Sequence, residues 1–600
     1  LIFVEELEEV QRPKERTEKE RIFIAKGFQV NVPTSLTSEV MDIGELLSYK
    51  PKSPKRKALD DTEEEDKKDV EDPRKKRKMS SSKMKYQEME RLEQEKLRQE
   101  ELEREKKKEE EEEKIKIMIE ETEEKDILNE MMLKKMILLF EKRTLKNREM
   151  RIKFPDNAER FMESEIELHT TIQELHAIAT VPDLYPLLVQ LKAVNSMLEL
   201  LLHENTDIAV AVVDLLQELT DVDILNESEE GTESLLTALL DQQVCALLVQ
   251  NLERLDETVK EEADGVHNTL GIFENLCELK PDAISDIGKQ GIVQWCLKRL
   301  KVKLPFDGNK LYTSEIISIL CQKNKENRKL VGELDGIDIL LQQLAYYKRH
   351  DPATPEEQEM MENLFDTLCS CLMLEENKER FLKGEGLQLM NLMLRERKLS
   401  RNGSLKVLDH AILGPSGKDN ANKFVDILGL RTIFPLFMKT PKKNRRKILT
   451  IEEHEEHVVS IIANMLRNCS GPQRQRLLSK FTENDHEKVD RLLELHFKYL
   501  DKVDEADNIT RDEDEDENYL RRLDAGLFTL QLIDYVVLEI CAAGVATIKQ
   551  RVLQIINLRG GSLKTIRHVM REYAGNLGDH GDLDWKEMEQ EHILNLVDKF

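Results

Sequence analysis

The sequence is poor in aromatic residues and has no cysteine pair of the kind that holds a metal. Phe, Trp and Tyr make up 5% of its 600 residues, and only two of them are tryptophan. No CxxC pair occurs, which excludes the common zinc-binding spacings. We expect the eight cysteines to be reduced residues of an apolar core. They are Cys245, Cys277, Cys296, Cys321, Cys369, Cys371, Cys469 and Cys541.

Long hydrophobic runs are also lacking. No charged-then-apolar segment opens the chain, and the longest apolar run, around Tyr535 to Ala546, is interrupted by Glu539. A membrane-spanning helix needs about 20 mainly apolar residues, so we expect no membrane contact and a soluble, intracellular protein. Strand-like alternation of apolar and polar residues is missing as well, which favours an all-α fold.

Sequence motifs of common enzymes are absent. The chain contains no GxxxxGK[ST], GxGxxG or GxSxG sequence. His454, Glu455 and His457 resemble part of a zinc-hydrolase motif, but that motif places its histidines four residues apart, so an exposed polar helix is predicted instead. His267 has no accompanying nucleophile, so a groove or core histidine is predicted there. We therefore expect a protein that is not an enzyme and has no cofactor or metal.

Acidic residues outnumber basic ones, and most of the excess lies beyond residue 150. The whole chain carries 119 Asp and Glu against 91 Lys and Arg, a formal charge of −28. Residues 1–150 carry 40 against 36, so the remainder carries 79 against 55. An acidic body repels phosphate and attracts basic peptides. Protein partners with basic segments are therefore expected, and direct binding of nucleic acid is not.

One pattern recurs along the chain: a glycine turn followed by a short amphipathic helix. It is clearest as LDGIDILLQQL at 334–344, and similar segments lie at 289–300, 384–394 and 427–437. The steps between the apolar residues that follow each glycine are 45, 50 and 43 residues, which indicates a helical solenoid. In the clearest unit, from Asn324 to Leu374, Thr354 and Pro355 would begin a third helix.

The repeat pattern divides the chain into five segments. We predict a disordered or charged-helix N-terminal region, an N-terminal helical cap, the repeat solenoid, a mobile acidic linker and a C-terminal helical cap. Their bounds are 1–126, 127–186, 187–500, 501–518 and 519–600.

Two basic clusters lie in the N-terminal region, each after a proline. Clustered Lys and Arg in a segment with few apolar residues favour a nuclear localisation signal and hence a nuclear protein. A solvated charge run in a disordered tail, or attraction to nucleic acid, remains an alternative. The residues concerned are Lys55, Arg56, Lys57, Arg74, Lys75, Lys76, Arg77 and Lys78.

The third helices of the predicted repeats carry polar residues at spacings of three and four. In a stacked solenoid such helices line one surface, where carboxylates and amides could hold an extended basic segment. Each residue taken alone could equally be an ordinary solvated position, and only the set favours a groove. The set is Asp214, Glu218, Asp264, Asn268, Asn275, Asn363, Asp366, Asn464 and Asn468.

Several segments resemble a known family. They include MDIGELLSY from Met41, RIKFPDN from Arg151, LVQNLERLDETVKEEADGVHNTL from Leu248 and RFLKGEGLQLMNLMLRE from Arg380. The helical pattern with Asn324 to Arg328 before Gly336 resembles the armadillo repeat. The longer stretches are similar to the beta-catenin-like family of armadillo proteins, over roughly residues 130–600 and the short segment at Met41.

The resemblance implies an armadillo-type solenoid that acts as a nuclear scaffold. It implies association with the spliceosome through the nineteen complex, and binding of basic segments of splicing proteins such as the Myb-domain subunit of that complex. A transport adaptor for basic cargo is the alternative, and a homodimer is possible. The chain does not follow the importin pattern, whose groove carries a ladder of tryptophans, because it has only Trp295 and Trp585.

Overall fold

The computed structural model describes residues 128–600, except 304, 397, 441–449, 510–514 and 579–582. The two predicted nuclear localisation clusters therefore lie outside the described residues. Ile127–Phe600 form one compact unit. The described residues contain helices and no strand, as predicted for an all-α chain.

The described part opens with two long helices, α1 (Glu130–Lys153) and α2 (Ala158–Leu175), which pack against each other. The side chain of Asn129 begins α1 by accepting a hydrogen bond from the amide of Met132 (3.0 Å). The first helix ends at Lys153, two residues before Pro155, a residue that cannot continue a helix. Leu133 and Phe140 on its inner side are fully buried.

Short helices and longer third helices then alternate along the solenoid. The bounds are α3 (Tyr185–Gln190), α4 (Ala193–Leu200), α5 (Thr206–Leu219), α6 (Val222–Leu225), α7 (Glu229–Asp241), α8 (Val244–Leu252), α9 (Lys260–Leu279), α10 (Ile284–Ile287), α11 (Val293–Lys301), α12 (Gly308–Gln322), α13 (Lys325–Glu333), α14 (Gly336–Leu344), α15 (Pro355–Cys371), α16 (Glu375–Lys383), α17 (Gly386–Glu396), α18 (Ser400–Ile412), α19 (Lys418–Asp426), α20 (Leu430–Met438) and α21 (Ile451–Asn468). The C-terminal helices are α22 (Gly471–Ser479), α23 (Glu487–Ile509), α24 (Glu515–Asp524), α25 (Leu527–Ala542), α26 (Ala546–Leu558), α27 (Leu563–Gly575) and α28 (Leu583–Lys599).

The repeat at Asn324 to Leu374 has the three helices that the sequence predicts, α13, α14 and α15. Thr354 caps the third of them by accepting a hydrogen bond from the amide of Glu357 (3.2 Å), with Pro355 in the first turn. Leu340 and Leu344 of α14 are fully buried. The apolar side of the recurring helix therefore faces the core, as its periodicity indicates.

At three of the four recurring turns the glycine is required by a close approach, whereas Gly291 in the 289–300 segment itself has a positive φ of 112°. In the turn before α14 the positive φ belongs to Asp335 (57°), and Gly336 starts the helix. A Cβ on Gly386 would lie 2.3 Å from the ring of Phe381, and one on Gly429 would lie 2.5 Å from the ring of Phe424. In each case the aromatic ring five residues earlier packs against the glycine, so a side chain there would collide with it.

A buried asparagine in the first helix of successive repeats joins neighbouring units. Asn377 is fully buried and donates from Nδ2 to the carbonyl of Arg328 in the preceding repeat (2.9 Å) and to the carbonyl of Cys371 (3.0 Å). Asn327 and Asn420 make the corresponding pairs of bonds. In each pair one accepting carbonyl, that of Leu320, Cys371 or Ala411, belongs to the last turn of the preceding third helix, where no later helical amide is available to it.

Third helices of successive repeats pack side by side in one layer. We call this the third-helix layer, and it consists of α2, α5, α9, α12, α15, α18, α21 and α25. Each member packs against the members before and after it in this series. A groove between adjacent members is therefore built by residues roughly 50 positions apart in the sequence.

The predicted acidic linker at 501–518 is helical wherever the structure describes it, in place of an irregular segment. Helix α23 continues to Ile509 and α24 begins at Glu515. Val503 and Ala506 are buried on α23, which gives this charged sequence an apolar side. The acidic residues therefore occupy the outer side of a helix.

The cysteines conform to the prediction of a reduced core. All eight are free, seven are buried and Cys541 is half-buried. Burial raises the pKa of Cys245 to about 12, so this thiol stays protonated and inert at neutral pH.

Candidate binding groove

The first three helices of the third-helix layer line an open, acidic cavity of about 1040 Å³. We call it the N-terminal groove. Its acidic lining residues come from α2, α5 and α9, and among the described residues that line it none is Lys or Arg. The acidic residues are Glu165, Asp207, Asp214, Glu261 and Asp264. An open cavity with this lining attracts cations.

The inner wall of the groove is built around Asp214 on α5. Asn268 on the neighbouring helix α9 donates from Nδ2 to Oδ1 of Asp214 (2.7 Å). Burial raises the pKa of the Asp214 carboxyl. The hydrogen bond from Asn268 and the charge of His176 lower this pKa, and the negative charges of Asp264 and Glu218 raise it. The net shift of the pKa is upward, so the protein's own groups stabilise the charged form of Asp214 poorly and a cation beside it would stabilise that form.

The remaining acids differ in how much of their charge is already neutralised. Asp207, Glu261 and Asp264 are exposed, and Asp207 and Glu261 lie in the first turns of α5 and α9. Glu165 forms an ion pair with Arg151 and accepts a hydrogen bond from Asn205 (3.1 Å). The described lining therefore offers an acidic ligand no Lys or Arg. A basic ligand can bind the four other carboxylates, which belong to Asp207, Asp214, Glu261 and Asp264.

An apolar wall faces these acids. Met162 and Ile166 of α2 line the cavity and are 56% and 59% exposed. Both are too exposed to contribute much to the core, and they offer a surface for the aliphatic stems of Lys and Arg side chains. The groove thus combines carboxylates for charged ends with an apolar surface for the stems that carry them.

Two histidines, His267 and His176, lie in or near the groove. His267 lines the cavity and is exposed, so of the two predicted alternatives, groove or core, it is a groove residue. Its ring lies 4.9 Å from that of Tyr312, whose hydroxyl donates to Glu274 (2.5 Å). Beyond the cavity, His176 Nδ1 lies 2.6 Å from Oε2 of Glu218. Glu218, one of the predicted groove residues, therefore already has a partner within the chain.

The predicted residues further along the layer are increasingly engaged by their own neighbours. Asn275 is half-buried on α9 beyond the cavity. Asn363 donates to the hydroxyl of Ser314 (3.3 Å). Asp366 lies 3.8 Å from Nζ of Lys406, so the neighbouring helix supplies a cation that reduces the acidic character of this part of the surface.

Asn464 and Asn468 do not line an open groove, and their prediction as groove residues is wrong. Asn464 is 2% exposed and donates to the carbonyl of Ser460 (3.0 Å), within the packing between α18 and α21. Asn468 donates to the carbonyls of Ile412 and Gly414 (2.8 Å each), which end the preceding third helix. Both amides satisfy the fold internally.

The HEEH segment is buried, so its prediction as an exposed polar helix is also wrong. His454, Glu455 and His457 are 4%, 6% and 5% exposed. Burial raises the pKa of Glu455, but hydrogen bonds from Lys498 (2.6 Å), Thr440 and Tyr499 outweigh it and the net pKa is lowered. His457 contacts Asp409 (2.9 Å). In the described ranges no group of His, Cys, Asp or Glu is arranged to hold a metal ion.

Sequence reasoning found Asp214, Asp264 and Asn268 but missed Glu165, Asp207, Glu261 and the apolar wall. Asp207 and Glu261 follow helix starts, where acids are common for reasons of helix stability alone. The signal that could have found them is their recurrence at the starts of successive third helices. Among the residues that can be described, no single helix is long and apolar enough to cross a membrane, although two bent helix pairs pass by length and composition.

Comparison with known proteins agrees with the repeat architecture. Residues 112–571 match the family described as "Catenin-beta-like, Arm-motif containing nuclear". Beta-catenin-like protein 1 of Rattus norvegicus is 60% identical over 574 residues, which cover 93% of this chain and all of that protein. The human protein of that name is 63% identical over 79% of this chain and 86% of its own length.

A more distant relative shows coverage similar to that of the human protein. The Beta-catenin-like protein 1 homolog of Schizosaccharomyces pombe is 32% identical over 491 residues, 80% of this chain and 85% of that protein. The family match covers most of the chain, and the structure has the helical repeats that the family's description names. The chain therefore belongs to the family of catenin-beta-like, Arm-motif containing nuclear proteins.

Proposed function

We propose that this protein is a non-enzymatic nuclear scaffold that binds basic, nuclear-localisation-type segments of other proteins in its N-terminal groove. The observation that carries the proposal is the set of four carboxylates, Asp207, Asp214, Glu261 and Asp264, around a cavity without a described Lys or Arg. The nuclear description of the family supports the compartment.

The groove matches an extended basic segment better than a small ligand. Its acids come from helices that pack side by side, so they form a row across the third-helix layer and not a closed pocket. Met162 and Ile166 provide the apolar contact that long basic side chains need along their stems. A single small cation would leave that apolar surface uncovered.

We further propose that the basic segments belong to proteins of pre-mRNA splicing, among them the Myb-domain subunit of the nineteen complex. The resemblance of the chain to the beta-catenin-like family motivates this choice of partners. A transport adaptor that carries the same basic cargo is the second candidate, and the clusters at Lys55 to Lys57 and Arg74 to Lys78 favour it, because they would supply the import signal.

Binding can be measured with a fluorescein-labelled peptide that contains PRKKRK, by fluorescence anisotropy on the full chain. We expect Asp264→Lys to weaken binding at least tenfold and to flatten its dependence on salt, because it removes one attraction and adds one repulsion. Asp366→Lys is the matched control, since Asp366 already lies beside Lys406. Equal affinities for the wild type and the Asp264 variant would refute the groove.

The two cellular roles are separated by deleting both basic clusters. A scaffold that enters the nucleus with its clusters should then be mislocalised alone, while its splicing partners keep their nuclear position. A transport adaptor should leave its cargo in the cytoplasm as well. Affinity purification from nuclear extract that recovers no splicing factor would contradict the splicing part of the proposal and leave the peptide-binding part standing.

A further inference from the structure

The C-terminal part of this acidic chain contains a strongly basic segment, formed by α26, the turn at Gly560 and Gly561, and α27. Residues 546–576 carry six Lys and Arg against one acid, Glu572, although the formal charge of the whole chain is −28. Glu572 accepts a hydrogen bond from Nη2 of Arg522 on α24 (3.0 Å), so its charge is already compensated. The segment therefore has a positive charge that contrasts with the rest of the molecule.

The exposed side of α27 carries a line of three basic side chains. Lys564, His568 and Arg571 are exposed and follow one another at steps of four and three residues, which places them in one line along the helix. The line covers about 10 Å, and we call it the basic face. Ile566 and Met570 on the opposite side of α27 are fully buried, so the basic face points away from the core.

Neighbouring residues extend the basic face towards the turn. Leu558 and Arg559 lie at the end of α26 and are exposed, the leucine to 77%. The guanidinium of Arg559 lies 5.4 Å from the ring centre of Phe497, a contact that orients the side chain and keeps its charge. Arg567, one turn before Arg571, is half-buried, and its Nε has no hydrogen-bond partner among the described residues. A ligand at the basic face would therefore meet further guanidinium groups and an exposed leucine.

The fold does not use these positive charges. Other arginines nearby form ion pairs, for example Arg551 with Asp490 (2.7 Å) and Arg467 with Glu589 (2.7 Å). Four cations of the segment form no ion pair within the part of the chain that the structure describes, so their charges remain available to a partner. They are Arg559, Lys564, Arg567 and Arg571.

Helix stability does not explain the basic face either. Lys564 lies in the first turn of α27, where a positive charge interacts unfavourably with the helix dipole, and this turn contains no acid. Arg567 and Arg571 are one turn apart, a spacing at which like charges repel each other. These cations therefore lower the stability of the helix that carries them, which indicates that they serve to bind a ligand.

The composition of the segment favours an acidic protein ligand over nucleic acid. Tyr573 is the one Phe, Tyr or Trp in residues 546–576 and is 6% exposed, so no such ring is available to stack on bases. Proteins that bind the phosphate backbone commonly make roughly 6–10 phosphate contacts, more than the four available cations provide. The net charge of −28 also repels a polyanion. Leu558 offers an apolar contact that a polypeptide can satisfy and a phosphate backbone cannot.

We propose that the basic face, together with Leu558 and Arg559, binds a short acidic segment of a partner protein, with an apolar residue of that segment against Leu558. Charge complementarity identifies the ligand, because carboxylates form charge-assisted hydrogen bonds with guanidinium and ammonium groups. The site is separate from the N-terminal groove, which lies on α2, α5 and α9 and offers the opposite charge. It therefore does not depend on what binds in that groove.

Fluorescence anisotropy with a fluorescein-labelled peptide, EEDLEELDE, tests the proposal at about 150 mM salt. The protein is the full chain with the Lys and Arg of its two N-terminal clusters replaced by glutamine, so that these clusters do not bind the acidic peptide. Lys564→Glu combined with Arg571→Glu should weaken binding roughly tenfold or more, because two attractions become repulsions. Leu558→Ser should weaken it roughly threefold or more, because the apolar contact is lost.

Matched controls separate a local site from the overall charge. Lys301→Glu combined with Lys303→Glu changes the total charge by the same amount at exposed lysines near the end of α11, and should leave the affinity unchanged within about twofold. The uncharged peptide QQNLQQLNQ should bind roughly tenfold more weakly than EEDLEELDE or not at all. Thermal unfolding should be the same for every variant, because the replaced side chains are exposed.

A duplex RNA of about 12 base pairs is the competing ligand and should bind more weakly than EEDLEELDE. Four outcomes would each overturn the proposal: no binding of the acidic peptide, equal binding of the uncharged one, equal affinities of the charge-reversed and control variants, or tighter binding of the RNA.

Discussion

Replacing Asp214 by asparagine should separate binding from stability. The substitution keeps the shape of the side chain, and its amide oxygen can still accept the hydrogen bond from Asn268 that the carboxylate accepts at 2.7 Å. Only the charge is lost. A charged hydrogen bond contributes about 1.5–3 kcal/mol, which corresponds to a loss of roughly 10-fold to 150-fold in affinity for the PRKKRK peptide.

The effect on folding should have the opposite sign. Burial and the neighbouring acids raise the pKa of Asp214 above its ordinary value near 3.8. A carboxyl whose folded pKa is raised contributes stability that is fully present below the unfolded pKa and is lost as pH rises through the folded pKa. At neutral pH the charged form therefore disfavours the folded state, and Asp214→Asn should leave the melting temperature unchanged or raise it.

Two measurements check the prediction. Anisotropy titrations give the affinity, and differential scanning fluorimetry gives the melting temperature, both at neutral pH and at falling pH. Wild-type affinity should decrease as pH falls through the raised pKa of Asp214, and the variant should lack that decrease. Asp366→Asn is the control, because Lys406 lies 3.8 Å from that carboxylate. Unchanged affinity in the Asp214 variant, or a large loss of stability, would refute the assignment of Asp214 to a cation-binding wall.

Three further predictions concern the fold. Gly386→Ala should destabilise the protein by about 1–3 kcal/mol in urea denaturation, because its Cβ would meet the Phe381 ring at 2.3 Å, whereas Gly575→Ala, with no atom within 4 Å, should be neutral or stabilising. Asn377→Leu should lower the free energy of unfolding by about 2–4 kcal/mol in the same assay, since it removes the donor to the carbonyls of Arg328 and Cys371. A decrease no larger than that caused by a substitution at an exposed position would contradict the role of Asn377 in joining repeats. The hydrogen bond to Glu539 raises the pKa of His592 despite burial, so its contribution to stability is full below the unfolded value of 6.5 and is lost as pH rises through the folded pKa. The difference in melting temperature between wild type and His592→Gln should therefore shrink from about pH 6 to about pH 9, and a constant difference would contradict the ion pair.

The predicted groove illustrates how far sequence reasoning reaches. Asp214, Asp264 and Asn268 were found because spacings of three and four place residues on one side of a helix. The same rule selected Asn464 and Asn468, which bond to backbone carbonyls of their own layer. Periodicity identifies a side of a helix, but it does not say which neighbouring helix covers that side.

The HEEH segment and the acidic linker differ from their predictions because tertiary contacts decide which of their residues are buried. Charged residues are predicted to be exposed, but Glu455 is buried among Lys498, Thr440 and Tyr499, which come from elsewhere in the sequence. The linker at 501–518 has few apolar residues, yet Val503 joins the hydrophobic core near the end of α23, a helix that Leu492 and Leu493 already anchor. For Glu455, partners distant in sequence make the burial of a charged residue favourable, whereas the described acids of the linker stay exposed.

The sequence by itself determined the local features of this protein: helices from their periodicity, the third-helix start at Thr354 from its cap, and the repeat from its glycine turns. These features depend on interactions within about ten residues, and the chain specifies them directly. Only the tertiary structure decided which carboxylates remain open to a ligand. That outcome depends on contacts between residues about 50 positions apart, such as Asp214 with Asn268 and Asp366 with Lys406, and the packing of adjacent repeats brings them together.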